Sequence, residues 1–220
     1  MKARFILLFM YQKYLEPVVE MFSTGDYYNE LFKAKQEFFE RAGVVYEDDQ
    51  EFENRMNTFM DWYTFDREMP GIDLPPIKYY YRQESDKLPV EESQIYKDFC
   101  NTVHSIFYLS KVSGKNVYVK DLFSKKNHEV RESEINAGFM PGDIFESRLV
   151  PFKGSFEFSK GFCFHPVEME KFIMGEINKV KNQDKERQTK LILQLAGMKL
   201  KWTRYQHINI KHIYTFEAKF

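Results

Sequence analysis

IFYLSKVSGKNVYVKDLFSKKNHEVRES, residues 106–133, is where the hydrophobic period of the chain changes. Upstream, apolar residues recur every third or fourth position; here they alternate, as a half-buried strand requires. Asn116-Val117-Tyr118-Val119 sets Val117 and Val119 on one face and Asn116 and Tyr118 on the other. The glycine after Ser113 and the polar run before His128 read as turns, so the stretch predicts strand, turn, strand, turn, strand. MPGDIFESRLVPFKGSFEFSKGFCFHP, residues 140–166, adds two or three more, broken at Lys153-Gly154 and Lys160-Gly161, with Pro141-Gly142-Asp143 as the entering turn. Short strands joined by tight turns predict a small antiparallel β-barrel, SH3-like or split, over residues 104–165.

Helices flank it on both sides. DYYNELFKAKQEFFERAG, 26–43, opens at Asp26 as N-cap and closes at Gly43, with Tyr28, Leu31, Phe32, Phe38 and Phe39 as its apolar positions. The acids of EDDQ, 47–50, suit the start of the next helix. There Phe52, Met56, Phe59 and Tyr63 make a core stripe, Trp62 and Phe65 widen it, and Pro70-Gly71 ends it. Residues 70–90, with Pro70, Pro75, Pro76 and Pro89 around Lys78-Tyr79-Tyr80-Tyr81-Arg82, read as an extended connector. Residues 90–105 return to helix through Ile95, Phe99 and Val103. Pro166 opens a helix to 180, and Asp184 opens another, to 205, with Leu191, Leu195, Met198 and Trp202 on one stripe. The fold class is therefore α+β: a helical part over 1–103, the barrel over 104–165, and C-terminal helices over 166–220 that pack back on the first part.

The helix end F-M-D-W-Y-T-F-D-R, 59–67, with helices before it and a Pro-Gly-Asp barrel after it, resembles a set of uncharacterised bacterial proteins. These share a Trp-aromatic-x-Phe-Asp helix end followed by an extended segment. The resemblance rests on Asp61, Trp62, Tyr63, Phe65, Asp66 and Arg67, and implies no established activity, cofactor or catalytic residue. Asp61 and Asp66 diverge by more than roughly 100° around a helix, so they read as ion-pairing or capping groups rather than a catalytic or metal-binding pair.

Composition narrows the class. Aromatics make up 17% and charged residues 30%, and the only cysteines are Cys100 and Cys163, which argues for a reducing compartment and against a disulfide scaffold. The opening MKARFILLFMYQKYLEP has an apolar run too short and too interrupted for a signal peptide and reads as a first, partly buried helix. No stretch reaches the roughly 18 apolar residues of a membrane span, so a cytoplasmic location is expected. The near-neutral net charge of −1 conceals a split: residues 1–100 carry 12 Lys+Arg against 20 Asp+Glu, and residues 179–220 carry 10 against 3. Either the basic tail meets an anionic partner, or it packs on the acidic half of its own chain.

Four constellations can carry function. Excess Tyr, Phe, Met and Arg is the composition of interface cores; Trp62, Tyr79, Tyr80, Tyr81 and Arg82 are the candidates for a protein contact. Lys199, Lys201, Arg204, Tyr205 and Lys211 combine cations with an aromatic, as single-stranded nucleic acid binding requires. Cys100 with His104, one helical turn apart, and Cys163 with His165, alternate on a strand, can supply the four ligands of a zinc site. Cys163 with His104 or His128 can be written as a dyad, without a nucleophile elbow or a phosphate loop to support it. The expectation is a non-enzymatic cytoplasmic binding or adaptor protein that can self-associate, with no cofactor and no membrane partner. The alternative is a nucleic-acid-binding protein that uses barrel and tail.

Overall fold

The computed structural model describes residues 11–131 and 139–217. Five helices come first: α1 (Gln12–Ser23), α2 (Tyr28–Ala42), α3 (Phe52–Phe65), α4 (Pro76–Glu84) and α5 (Val90–Phe99). Then follow β1 (Val103–Ser113), β2 (Asn116–Asp121), β3 (Asn127–Arg131), β4 (Ile144–Phe152), β5 (Ser155–Phe158) and β6 (Cys163–His165). The chain closes with α6 (Glu170–Val180), α7 (Lys185–Arg204) and the short α8 (Ile210–Ile213). This is the α+β class that the change of period predicts. The expected opening helix reaches into residues 1–10, which lie outside the described residues; α1 begins at Gln12 and buries Val18 and Phe22.

The six strands form one mixed sheet in the order β1-β2-β3-β5-β4-β6, and β1 also pairs with β4. The neighbours are antiparallel except β3 and β5, which meet in parallel at Val130 and Phe156. The sheet thus curls but is mixed rather than antiparallel, and the expected barrel is not clearly closed, because β3 and β5 meet only at that one parallel bridge. Inside the curl lie Phe107, Leu109, Val117, Val119, Val130, Phe145, Leu149, Phe158 and Phe162. Because side chains alternate along a strand, Ile144, Glu146, Arg148, Val150 and Phe152 of β4 take the opposite face. Ile144 packs with α6 and α7, whereas Val150 and Phe152 join the core of the N-terminal helices. The register sets His104 of β1 opposite Arg148, and Ile106 opposite Glu146. A polar row therefore points from the sheet toward the helices.

Four local expectations give way to tertiary packing. The helix expected over 90–105 ends at Phe99, and Val103 already pairs with Leu149, so the sheet ladder outweighs the helical spacing of Ile95, Phe99 and Val103. The connector contains α4: Pro75 is extended and Pro76 takes the first helical turn, where its missing N–H costs nothing. In α2 the buried residues are Ala34, Phe38, Phe39 and Ala42, while Tyr28 and Phe32 stay exposed. The reason is α7, which approaches so closely that a Cβ on Gly197 would lie 3.2 Å from the Ala42 carbonyl oxygen. In α3 the buried arc runs through Arg55, Thr58, Phe59, Trp62, Tyr63 and Phe65, leaving Phe52 and Met56 half-buried. Asp26 and the acids at 47–50 do not cap their helices, but Asp184 does cap α7, accepting from the Arg187 amide at 2.8 Å.

Helix α3 also presses on the turn between β5 and β6. A Cβ on Gly161 would meet Thr58 Oγ1 at 2.7 Å and the Thr58 backbone N and Cα at 3.0 Å. Backbone cannot yield as a flexible side chain can, so Gly161→Ala is expected to cost about 1–3 kcal/mol, read as a lower urea midpoint. An unchanged midpoint would mean that α3 can move off the sheet.

Candidate functional site

The polar row of the sheet meets α3 in a buried chain of alternating charges. Arg148 grips Asp66 with both guanidinium nitrogens, Nη1 donating to Oδ1 at 3.1 Å and Nη2 to Oδ2. Its Nη1 also donates to Thr102 Oγ1 at 2.8 Å, and its guanidinium lies over the Phe65 ring. The next link is His104, whose Nδ1 lies 3.4 Å from Asp66 Oδ2 and whose Nε2 is 3.0 Å from Glu146 Oε1. Glu146 Oε2 then faces Arg55 Nη1 at 3.9 Å, and Arg55 Nη2 donates to the Ala42 carbonyl. Lys185, in the first turn of α7, donates to the His104 carbonyl at 2.8 Å. Helices α3 and α7 and strands β1 and β4 thus meet in one network.

The electrostatics follow from that sequence of signs. Burial works against charge on His104, but hydrogen bonds to Asp66 and Glu146 outweigh it and raise its pKa. Burial likewise opposes ionisation of Asp66, yet the Arg148 charge and His104 hold its carboxyl well below the usual carboxylate range. Glu146 is lowered in the same way, its burial overcome by His104 and then by Arg55. Asp61, one turn earlier on α3, behaves oppositely: burial pushes its carboxyl up to about 6, against the charges of Arg148 and His104. His165 is pushed down to about 4 by burial, and its Nδ1 lies 3.1 Å from the Tyr214 hydroxyl.

Carboxyls whose affinities for protons are driven apart are the raw material of acid–base chemistry. Access decides whether they can use it. The cavity bounded by Thr58, Asp61, His104, Glu146, Ser147, Arg148 and Gly161 measures about 10 Å³, room for about one water and no substrate; Asp61 also lines an open cleft of about 650 Å³ with Tyr11, Asn57 and Lys160. Asp66 faces a wider cleft of about 720 Å³ with Arg67, Lys78 and Lys185 among its walls, but its carboxylate is already committed to Arg148 and His104. Arg67, on that wall, is held by Glu30 and Glu37. The geometry is that of an internal ionic clamp between layers.

The candidates named from sequence separate. Trp62 is only 4% exposed and stacks on Phe38, so it belongs to the core rather than to a docking surface. Tyr79 packs on Phe22 and Tyr80 on Tyr96; Tyr81 is half-buried and the Arg82 guanidinium lies over Tyr79. In the tail, Arg204 binds Asp49 and the Val44 carbonyl, and Lys199 lies 3.6 Å from Glu51. Lys201, Tyr205 and Lys211 remain exposed. Here the basic tail packs on the acidic half of its own chain.

The proposed zinc ligands do not converge. Cys100 follows α5 and donates to the Tyr96 carbonyl, whereas His104 stands on β1 inside the ionic clamp, so the pair shares no helix. Cys163 and His165 do share a face of β6, but among the described residues no group of three or more His, Cys, Asp or Glu is placed to hold a metal ion. Burial pushes the Cys100 thiol up to about 11 and the Cys163 thiol up to about 12, which keeps both protonated and unsuited to nucleophilic attack.

What pattern reading missed lies on the other side of α2. Phe32 (56% exposed) on α2 and Val44 (52%) after it lie on one groove, with Tyr28 (62%) one turn before Phe32 and Tyr46 (61%) beyond Val44 under the Arg204 guanidinium. The groove measures about 420 Å³ and is lined by Phe32, Phe39, Val44, Val45, Phe52 and Met56, with Lys35, Gln36 and Glu40 at its edges. Large apolar side chains that recur on one exposed face are the signature of a contact surface.

Known proteins add one finding. The model of a family of unknown function, DUF7986, matches residues 12–193, and the chain belongs to that family. No curated protein and no solved structure matches it.

The clamp makes two predictions. Arg148→Met strands Asp66 and is expected to cost about 3–5 kcal/mol; Asp66→Asn with Arg148→Met should recover much of that in a double-mutant cycle, whereas additive losses would mean the pair is not coupled. For Asp61 the folded pKa lies above the unfolded one, so its protonated form favours folding: that contribution is complete below about pH 4 and is lost as pH rises to about 6. Asp61→Asn should therefore raise stability over wild type at pH 7.5, by about 1–3 kcal/mol, with the gain vanishing near pH 4. A loss at pH 7.5 would show that the ionised carboxyl is the form the fold needs.

Proposed function

Because membership in a family of unknown function carries no activity over to this chain, we propose from its geometry that it is a non-enzymatic protein-binding protein. The observation that carries this reading is the groove between α2 and α3: its apolar lining and the exposed Phe32 and Val44 on it are covered by nothing among the described residues. The acid–base groups of the clamp are spent on one another: Asp66, where it meets its cleft, is committed to Arg148 and His104, and the gap between His104, Glu146 and Arg148 holds about one water. No helix among the described residues is long and apolar enough to cross a membrane. The tail supports nucleic acid binding less well, since Arg204 and Lys199 are occupied by Asp49 and Glu51.

Two titrations on the full chain test this. The apolar dye ANS should bind the wild type and lose fluorescence with Phe32→Glu or Val44→Glu, while circular dichroism stays unchanged. A labelled single-stranded oligonucleotide should fail to bind even at low salt. Salt-sensitive oligonucleotide binding that Lys201→Glu with Lys211→Glu abolishes would replace this reading with the nucleic acid one.

A further inference from the structure

We infer that the α2–α3 groove is the two-fold contact of a homodimer, with a second copy of this chain as its occupant; the inference rests on the protein-binding reading and names the partner. The first argument is shape. One patch carries both the projecting parts and the recess: Phe32 and Tyr28 stand out from α2, and beside them the groove is floored by Phe39, Phe52 and Met56. An isologous contact requires this self-complementarity, because the same patch must serve as donor and acceptor of each contact.

The second argument is charge. On α2, Tyr28, Phe32, Gln36 and Phe39 fall within one helical face. Lys33 and Glu40, both exposed, are seven residues apart and therefore flank the same side of that face, Lys33 toward the N-terminus and Glu40 toward the C-terminus. A two-fold axis crossing α2 near Gln36 runs the two copies antiparallel and keeps each flank on its own side. It then sets Lys33 of each copy against Glu40 of the other, twice over. A parallel two-fold pairing would turn the two charged flanks to opposite sides of the seam and forfeit both contacts.

The third argument is what the neighbours leave free. Arg204 and Lys199 already neutralise Asp49 and Glu51 beyond the end of the groove, and Arg41 pairs with Glu37 on the side of α2 turned away from the apolar stripe. The apolar stripe, the Lys33 and Glu40 pair, and Lys35 on the other edge of the groove are left to the partner copy. Charged residues at the edge of an apolar seam set orientation rather than the bulk of affinity.

Light scattering of the full chain across a dilution series, with five proteins, is the test. Wild type is expected to give about twice the chain mass of 26.5 kDa, falling to one chain mass on dilution. Phe32→Glu should raise the dimer dissociation constant at least about tenfold without changing the circular dichroism or melting temperature, since its ring is exposed. Lys33→Glu and Glu40→Lys should each weaken the dimer, and the combined Lys33→Glu/Glu40→Lys protein should recover it, because a two-fold contact restores both pairs at once. A wild type that stays monomeric at about 100 μM, a weak dimer even for a small interface, overturns the homodimer. So does a dimer indifferent to Phe32→Glu, or a double variant weaker than either single one. A monomeric wild type whose ANS signal still depends on Phe32 overturns only the choice of partner; loss of that dependence overturns the protein-binding reading as well.

Discussion

The grip of Arg148 on Asp66 is the constraint from which the rest of the molecule follows. Asp66 sits at the C-cap of α3, and Arg148 sits on the face of β4 turned toward the helices, so their contact sets where the helical layer lies on the sheet. Arg148 is buried and Asp66 largely so, and a charge placed there needs an opposite one beside it. His104 and Glu146 continue the alternation of sign and Arg55 ends it, although Arg148 Nε and Arg55 Nε are left without a hydrogen-bond partner. Lys185 brings α7 to the same point through the His104 carbonyl. Apolar packing alone has no preferred orientation; this chain of charges supplies one, because a slip of β4 by a single residue would turn Glu146 and Arg148 into the apolar interior of the curl.

Around the clamp the molecule divides its apolar side chains into three cores. The inner face of the curled sheet holds one, the N-terminal helices with Val150 and Phe152 another, and α6 and α7 against Ile106 and Ile144 the third. Strand β4 takes part in all of them. Its outer face alternates between apolar ends and a charged middle, and the same residues explain why the sheet can be covered by two different sets of helices. The high aromatic content serves the first and second of these cores: the rings of Phe38, Phe59, Trp62 and Tyr63 pack in series in one, and those of Phe139, Phe145, Phe158 and Phe162 in the other, mostly tilted against each other.

The charge split between the two ends of the chain has a plain structural use. Arg204 and Lys199 fold back onto Asp49 and Glu51, so two of the tail's ten Lys and Arg are answered where α7 passes the start of α3. Half-exposed pairs of this kind contribute little stability each; their consequence is that they remove cations from the surface available to an anionic partner. What they leave uncovered is the aromatic edge of α2, because α7 occupies the opposite side and needs small residues there.

Sequence alone determined the elements that local physics controls. Alternation at Val117 and Val119 marked the strands, Asp184 marked the start of α7, and the helix end before Pro70-Gly71 came out where expected, because period, capping and ring geometry act over a few residues. Which face of each helix is buried was decided only by tertiary structure. Phe32 reads as core until α7 claims the other side of α2 through Ala42 and Gly197, and Arg55 is buried only because Glu146 faces it from β4. The candidate site was illegible for the same reason. Asp66, His104, Glu146 and Arg148 belong to three elements, and Asp66 and Arg148 are separated by 82 positions. No local spacing records a contact made across that distance; only the register of β1 on β4 and the seat of α3 above them bring those charges together.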